Sequence, residues 1–186
     1  MSNLTDDVKN SLTSLISGAG DIVSVTQKVA KENVVKAVQG AGDVATGGTQ
    51  AVSDVVTGGV QALSSAGGSI RDVVTGLVKG VVDGAKEVGV NTTEAAETAS
   101  STAVHAVSTV GGNIGDTAVS AVRGAIEAAG DIGADTGSLA VSAVKGSLKA
   151  ADEIGSEGGS LVRKALLNAA ALPHDIIDAL LTGKTE

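Results

Sequence analysis

Residues 122–155 read VRGAIEAAGDIGADTGSLAVSAVKGSLKAADEIG, and the spacing of their apolar side chains decides the fold class. Small or apolar residues recur there at steps of three and four, and the larger ones are Val122, Ile126, Ile132, Val144, Leu148 and Ile154. Such steps place side chains on one face of an α-helix, whereas a half-buried strand would need strict alternation. We therefore predict an all-α fold with one broad apolar seam.

The same pattern returns every 22 residues, and eight copies fill nearly the whole chain. One column of the repeat contains Ile22, Val44, Ala66, Val88, Val110, Ile132, Ile154 and Ile176. A fixed period of this size indicates stacked or extended units, because one unit cannot bury its own apolar face. The repeat therefore points to assembly rather than to catalysis.

Twenty-two residues are two units of eleven, and eleven residues over three helical turns slightly exceed the period of a straight helix. This excess favours a right-handed supercoil. We expect long hendecad-repeat helices, either continuous or broken into several helices at Gly-rich points, that form a right-handed coiled-coil bundle or a helical tube. A β-solenoid with 22-residue coils is the alternative, because Val, Thr and Gly are plentiful, but segments such as 125–129 are better helix formers.

The two ends depart from the repeat and divide the chain into three parts. We predict a polar lead-in over residues 1–11, the repeat region over 12–172, with its last copy incomplete, and a C-terminal docking helix over 173–186. Pro173, the only proline, should break the preceding helix. The larger aliphatic residues beyond it are predicted to dock a partner protein, with a frayed terminal turn as the alternative: Ile176, Ile177, Leu180 and Leu181.

Glycine is abundant, with 26 residues, while Phe, Tyr and Trp are absent. Pairs four residues apart recur at the same columns: Gly111 and Gly115, Gly133 and Gly137, Gly155 and Gly159. Gly76, Gly80 and Gly84 have the same spacing. Such glycines form notches on one helix face that let a second backbone approach closely. Equally, they could mark turns between short helices, and the sequence leaves both interpretations open.

The composition offers no reactive constellation. Zero cysteines exclude thiol chemistry and disulfides, and the two histidines lie far apart, so we expect no metal, no cofactor and no enzymatic activity. The net charge of −8 argues against nucleic-acid partners. Neither a spanning segment of about 20 apolar residues nor a secretory signal is evident. We expect a cytoplasmic protein, peripheral to the inner face of the membrane.

Two resemblances suggest a role. The segments Asp54–Gln61 (DVVTGGVQ) and Asp72–Lys79 (DVVTGLVK) resemble the eleven-residue amphipathic repeats of perilipin-type, synuclein and late-embryogenesis-abundant proteins. That resemblance implies a helix that coats lipid. The size and the acidic, aromatic-free composition also resemble the scaffold subunit of actinobacterial high-affinity uptake hydrogenases, which implies a membrane-reaching stalk.

From these features we expect a non-catalytic scaffold or stalk that assembles with itself as a trimer or larger. It would organise a soluble enzyme complex and link it to the membrane, a lipid or an apolar carrier such as a quinone through an apolar-lined tube. The alternative is an amphipathic-helix protein that coats lipid or another apolar surface.

Overall fold

The computed structural model describes residues 3–182, and within them the chain forms nine helices and no strand. In chain order they are α1 (Leu4–Ile16), α2 (Ile22–Ala41), α3 (Val44–Ala66), α4 (Ile70–Glu87), α5 (Thr92–Thr109), α6 (Ile114–Ile132), α7 (Thr136–Ile154), α8 (Ser156–Asn168) and α9 (His174–Thr182).

Most of the helices begin at a polar capping side chain. The Asp21 carboxylate accepts a hydrogen bond from the Ser24 backbone N–H at 3.0 Å, and Asn113 caps α6 in the same way. Asp135 caps α7 through the backbone N–H of Ser138. Each cap satisfies a backbone donor that the first helical turn leaves unpaired. Hydrogen bonds from the side chains of Ser24 and Ser138, together with those from their backbone N–H groups, lower the pKa of Asp21 and Asp135 below the usual value.

The helices stack in two layers. Each helix packs against its neighbour in the chain and against the helix two positions away. The odd layer contains α1, α3, α5, α7 and α9, and the even layer contains α2, α4, α6 and α8. Short turns alternate the chain between the layers, so helices within a layer run parallel. The result is a helical-repeat stack in which one 22-residue unit is one helix and its turn.

Most neighbouring helices of the same layer touch through glycine. In α4, the missing Cβ atoms of Gly76, Gly80 and Gly84 lie against the backbone carbonyls of Val23, Gln27 and Lys31 in α2, respectively. The column that contains Gly80 repeats this contact at Gly58, Gly124 and Gly146, which face the carbonyls of Thr5, Thr75 and Glu97. A Cβ at Gly76 or Gly124 would lie 2.6 Å from the opposing carbonyl oxygen, closer than such atoms pack. Glycine therefore sets the distance between parallel helices.

The core between the layers consists of Val, Ala and a few Leu and Ile side chains. Val56, Val78, Val122 and Val144 are fully buried at one repeat column, and Leu12 occupies that column in α1. Because these side chains are small, the helices must come close to remove them from water and fill the space between them. The small core side chains therefore require the close helix approach that the glycine contacts permit.

The all-α prediction is confirmed, and of the two alternatives left open for the helices, continuous or broken at Gly-rich points, the structure shows broken helices. The expectation of long helices is corrected: the longest helix, α3, has 23 residues, and turns end each helix after about one repeat. Helix α1 already begins at Leu4, inside the segment predicted as a lead-in. Residues 1–2 of the predicted lead-in and residues 183–186 of the predicted docking helix lie outside the described residues.

Gly80 and Gly130 offer a matched test of the packing. We expect Gly80→Ala to lower the free energy of unfolding by about 1–2 kcal/mol, because its Cβ overlaps the Gln27 carbonyl and forces α4 away from α2. Gly130→Ala in α6 meets nothing within 4 Å and should raise the free energy of unfolding by about 0.5–1 kcal/mol through helix propensity. Urea denaturation followed by circular dichroism measures both, and equal stabilisation by the two substitutions would contradict the packing.

Candidate interaction surface

Three of the glycines predicted to form packing notches are turn residues. Gly111, Gly133 and Gly155 have φ angles of 73°, 66° and 149°, and a Cβ on any of them would meet nothing within 4 Å. They end α5, α6 and α7 in backbone conformations that L side chains rarely adopt. Their assignment to helix packing is thus corrected to the turn interpretation.

The other member of each pair lies inside the next helix, with varied surroundings. A Cβ on Gly115 would lie 3.0 Å from the Ala165 Cβ of α8, which is a tight helix contact. Gly137 has only ordinary contact distances around it. Gly159 is buried beside the carboxylate of Asp152 and the guanidinium of Arg163. Parallel helices also pack closely at Gly76, Gly80 and Gly84, as the spacing of these three predicted. The sequence analysis did not identify the same contact at Gly58, Gly124 and Gly146.

The predicted apolar seam is directed into the stack. Val122 and Val144 are fully buried, and Ile126, Ile132 and Leu148 are partly buried against the same core. Ile154, at the end of α7, is 39% exposed. The neighbours that the seam requires are therefore helices of the same chain.

The predicted docking cluster is also used within the chain. Ile177 is 1% exposed, and Ile176, Leu180 and Leu181 pack partly buried against the core. Helix α9 contacts α7 and α8 and covers the C-terminal end of the stack. Its assignment as a free docking element is corrected, because the aliphatic side chains that would bind a partner are covered by α7 and α8.

A set of polar contacts, here called the charged ladder, crosses the outer face of the even layer. It comprises Gln27 with Asp83 at 2.5 Å, Lys31 with Glu87 at 2.9 Å, and Lys79 with Asp131 at 3.0 Å and with Glu127 at 3.8 Å. These contacts connect α2 to α4 and α4 to α6. The sequence alone favours a solvated face for such charges, although opposite charges about two and a half repeats apart could have indicated pairing.

Within the charged ladder, Asp83 has the least favourable surroundings for a negative charge. Its Oδ1 atom is buried without a hydrogen-bond partner, while Oδ2 accepts from the Gln27 amide. Burial raises the pKa of Asp83 above the usual carboxyl value, although Gln27 and the nearby Lys31 and Lys79 act in the opposite direction. A groove of about 350 Å³ beside it is lined by Lys31, Asp83, Lys86, Glu87, Asp131 and Ile132.

The two layers differ in charge. Helices of the odd layer carry three lysines and nine carboxylates, whereas those of the even layer carry nine Lys or Arg and eight carboxylates. Several even-layer charges are paired across helices, as in the charged ladder. The odd-layer surface is consequently acidic, while the even-layer surface is nearly balanced.

The described residues contain no arrangement of three or more His, Asp or Glu that could hold a metal ion. His105 contacts Glu153 at 2.8 Å on the surface, and His174 lies at the start of α9. Among residues 3–182, no helix is long and apolar enough to cross a membrane.

Comparisons with known proteins support the architecture. No protein-family model matches the chain, and no curated protein matches it. Among solved structures, the chain is similar to a de novo designed helical repeat protein, DHR7, with a TM-score of 0.53 and 18% identity over 96% of this chain and 93% of that one. At this identity the similarity concerns the fold alone, and it agrees with the helical-repeat stack.

Asp83 predicts an unusual pH dependence. Because its folded-state pKa is raised, ionisation of Asp83 opposes folding at neutral pH, and this penalty is relieved as the pH falls through that pKa. We expect Asp83→Asn, which keeps an acceptor for Gln27, to be more stable than the parent at pH 7. The difference should shrink as the pH approaches the ordinary pKa of a carboxyl group, and denaturant titrations at several pH values measure it. A variant that is less stable at pH 7 would show that the lysines, rather than burial, dominate.

Proposed function

We propose that the protein is a non-catalytic helical-repeat scaffold that holds a partner protein, such as a soluble enzyme complex, on its outer surface. One observation carries the proposal: the apolar seam is buried inside a single chain, which leaves a stack with two polar faces of different charge. Helical-repeat stacks provide extended binding surfaces through this architecture. Function then depends on surface side chains rather than on a catalytic cavity.

The ends of the stack support action as a single chain. At the free edge of α2, exposed Glu32 and Lys36 occupy the repeat columns of the packing glycines Gly76 and Gly80, and exposed Lys28 lies one turn before them. Long charged side chains there oppose the close approach of a further helix. At the other end, α9 covers the core. Self-assembly into a trimer and an apolar-lined tube to a quinone are thus not part of the proposal, because both required an unburied seam.

The test is co-purification from the source cells under native conditions, with tagged parent and surface variants of the full chain. We expect a defined protein complex to accompany the parent in a fixed ratio. A variant that reverses the exposed charges Lys86 and Arg123 should remain folded and release that complex, because these side chains lie on the even-layer face. A matched variant reversing Lys145 and Lys149 on the odd layer should retain it.

Two outcomes would overturn the scaffold. One is that the tagged parent chain purifies alone, while the candidate complexes stay intact in cells that lack the chain. The other is a chain that floats with neutral lipid vesicles and loses its tertiary contacts there, which would favour the lipid-coating alternative.

A further inference from the structure

A second groove lies on the even-layer face between α6 and α8, and it is here called the α6–α8 groove. Its volume is about 400 Å³, and its lining includes Arg71, Val119, Arg123, Ala165, Asn168 and Leu172. The groove exists because α8 is short. Ala165 packs on Gly115 near the start of α6, but α8 ends at Asn168 and the chain then turns toward α9. The later part of α6 therefore lacks the close helix neighbour that α4 provides on its other side.

Two arginines line this groove with most of their donors unused. Arg71 Nη2 contacts Asp116 Oδ1 at 3.1 Å, and Arg123 Nε contacts Glu127 Oε1 at 2.8 Å. These side chains are 70% and 63% exposed. A guanidinium has five N–H donors, so a single contact leaves capacity for a further anion. Arg163, by contrast, holds both oxygens of Asp152 through Nη1 and Nη2, at 3.0 and 2.9 Å.

The rest of the lining combines the polar side chains of Asp116, Ser120 and Asn168 with small aliphatic ones. Val119, Ala165, Ala169, Ala171 and Leu172 contribute aliphatic surface next to the two guanidinium groups. Leu172 is itself 4% exposed, so it is fixed by packing. An apolar wall beside cationic donors matches a segment that carries a carboxylate next to a short aliphatic side chain.

We propose that the α6–α8 groove binds a short acidic segment of a partner protein, with carboxylates on Arg71 and Arg123 and a small aliphatic side chain between the walls. Asp116 and Glu127 stay beside the guanidinium groups, so a monoanionic carboxylate fits better than a dianionic phosphate, which they would repel more strongly. The proposal deepens the scaffold function and rests on it for the nature of the partner.

The three arginines of the chain provide an internal control. Full-length protein labelled with ¹⁵N in arginine should give three side-chain Nε–H signals. We expect the peptide acetyl-Ala-Glu-Val-Glu-Ala-amide to shift the signals of Arg71 and Arg123 saturably and to leave that of Arg163 in place. The matched peptide with Gln for both Glu residues should leave all three unchanged. A phosphoserine peptide that binds more tightly than the Glu peptide would overturn the choice of carboxylate.

Variants then locate the binding. Arg71→Gln and Arg123→Gln should each lower the affinity for the Glu peptide about tenfold, since each removes charged hydrogen bonds to a carboxylate. Arg163→Gln should not change the affinity. Ala171→Leu keeps both arginines but fills the groove, and it should also weaken binding. Circular dichroism confirms that each variant is folded.

Three results would each overturn the proposal. They are an equal response to the Glu and Gln peptides, a shift of the Arg163 signal equal to those of Arg71 and Arg123, and a peptide affinity that Arg71→Gln and Arg123→Gln leave unchanged. Its failure is distinguishable from failure of the scaffold. If the cellular complex persists in Arg71→Gln and Arg123→Gln, the groove assignment is wrong and the scaffold stands. If the peptide binds but no complex exists in cells, the groove stands without the scaffold.

Discussion

The fold depends on the approach of glycine to the backbone carbonyls of the parallel helix before it. In α4, Gly76, Gly80 and Gly84 make this contact along three successive turns against α2. A chain without aromatic side chains has only Val, Ala and a few larger aliphatics to bury, so helices spaced at the usual distance would leave voids. Glycine removes the Cβ that would hold the helices apart. Its cost in helix propensity, about 1 kcal/mol for each residue, is offset by closer packing of the core.

The α5 helix carries a different residue at this contact. Thr102 occupies the column where neighbouring helices carry Gly80 and Gly124, and it faces Ser53 of α3 through a hydroxyl contact at 3.5 Å. The α3 and α5 helices meet less extensively than α5 and α7, where Gly146 faces Glu97. The position of glycine within a repeat thus determines how tightly each pair of parallel helices packs.

The sequence predicted helices and their apolar seam, because steps of three and four are local properties, and it left open whether the helices break at glycine. It did not determine whether the seam is buried within one chain or between chains. A period of 22 fits both two elevens of a continuous helix and one helix with its turn. The polar residues Asp21, Asn91, Asn113 and Asp135, each at a helix start, were the local signal for turns. The sequence analysis did not identify surface contacts such as Lys79 with Asp131, because they depend on how separate helices align across the even layer.

Burial of the seam within one chain is also the premise of the proposed scaffold, in which a partner binds surface side chains. The most direct test uses equal amounts of ¹³C-labelled and unlabelled protein and observes nuclear Overhauser effects between the Gly80 Hα protons and the Ala30 methyl group, which are neighbours in this packing. We expect a strong effect within labelled chains that persists on dilution, and none between labelled and unlabelled chains. An effect between chains, or one that disappears on dilution together with helicity, would contradict burial of the seam within one chain.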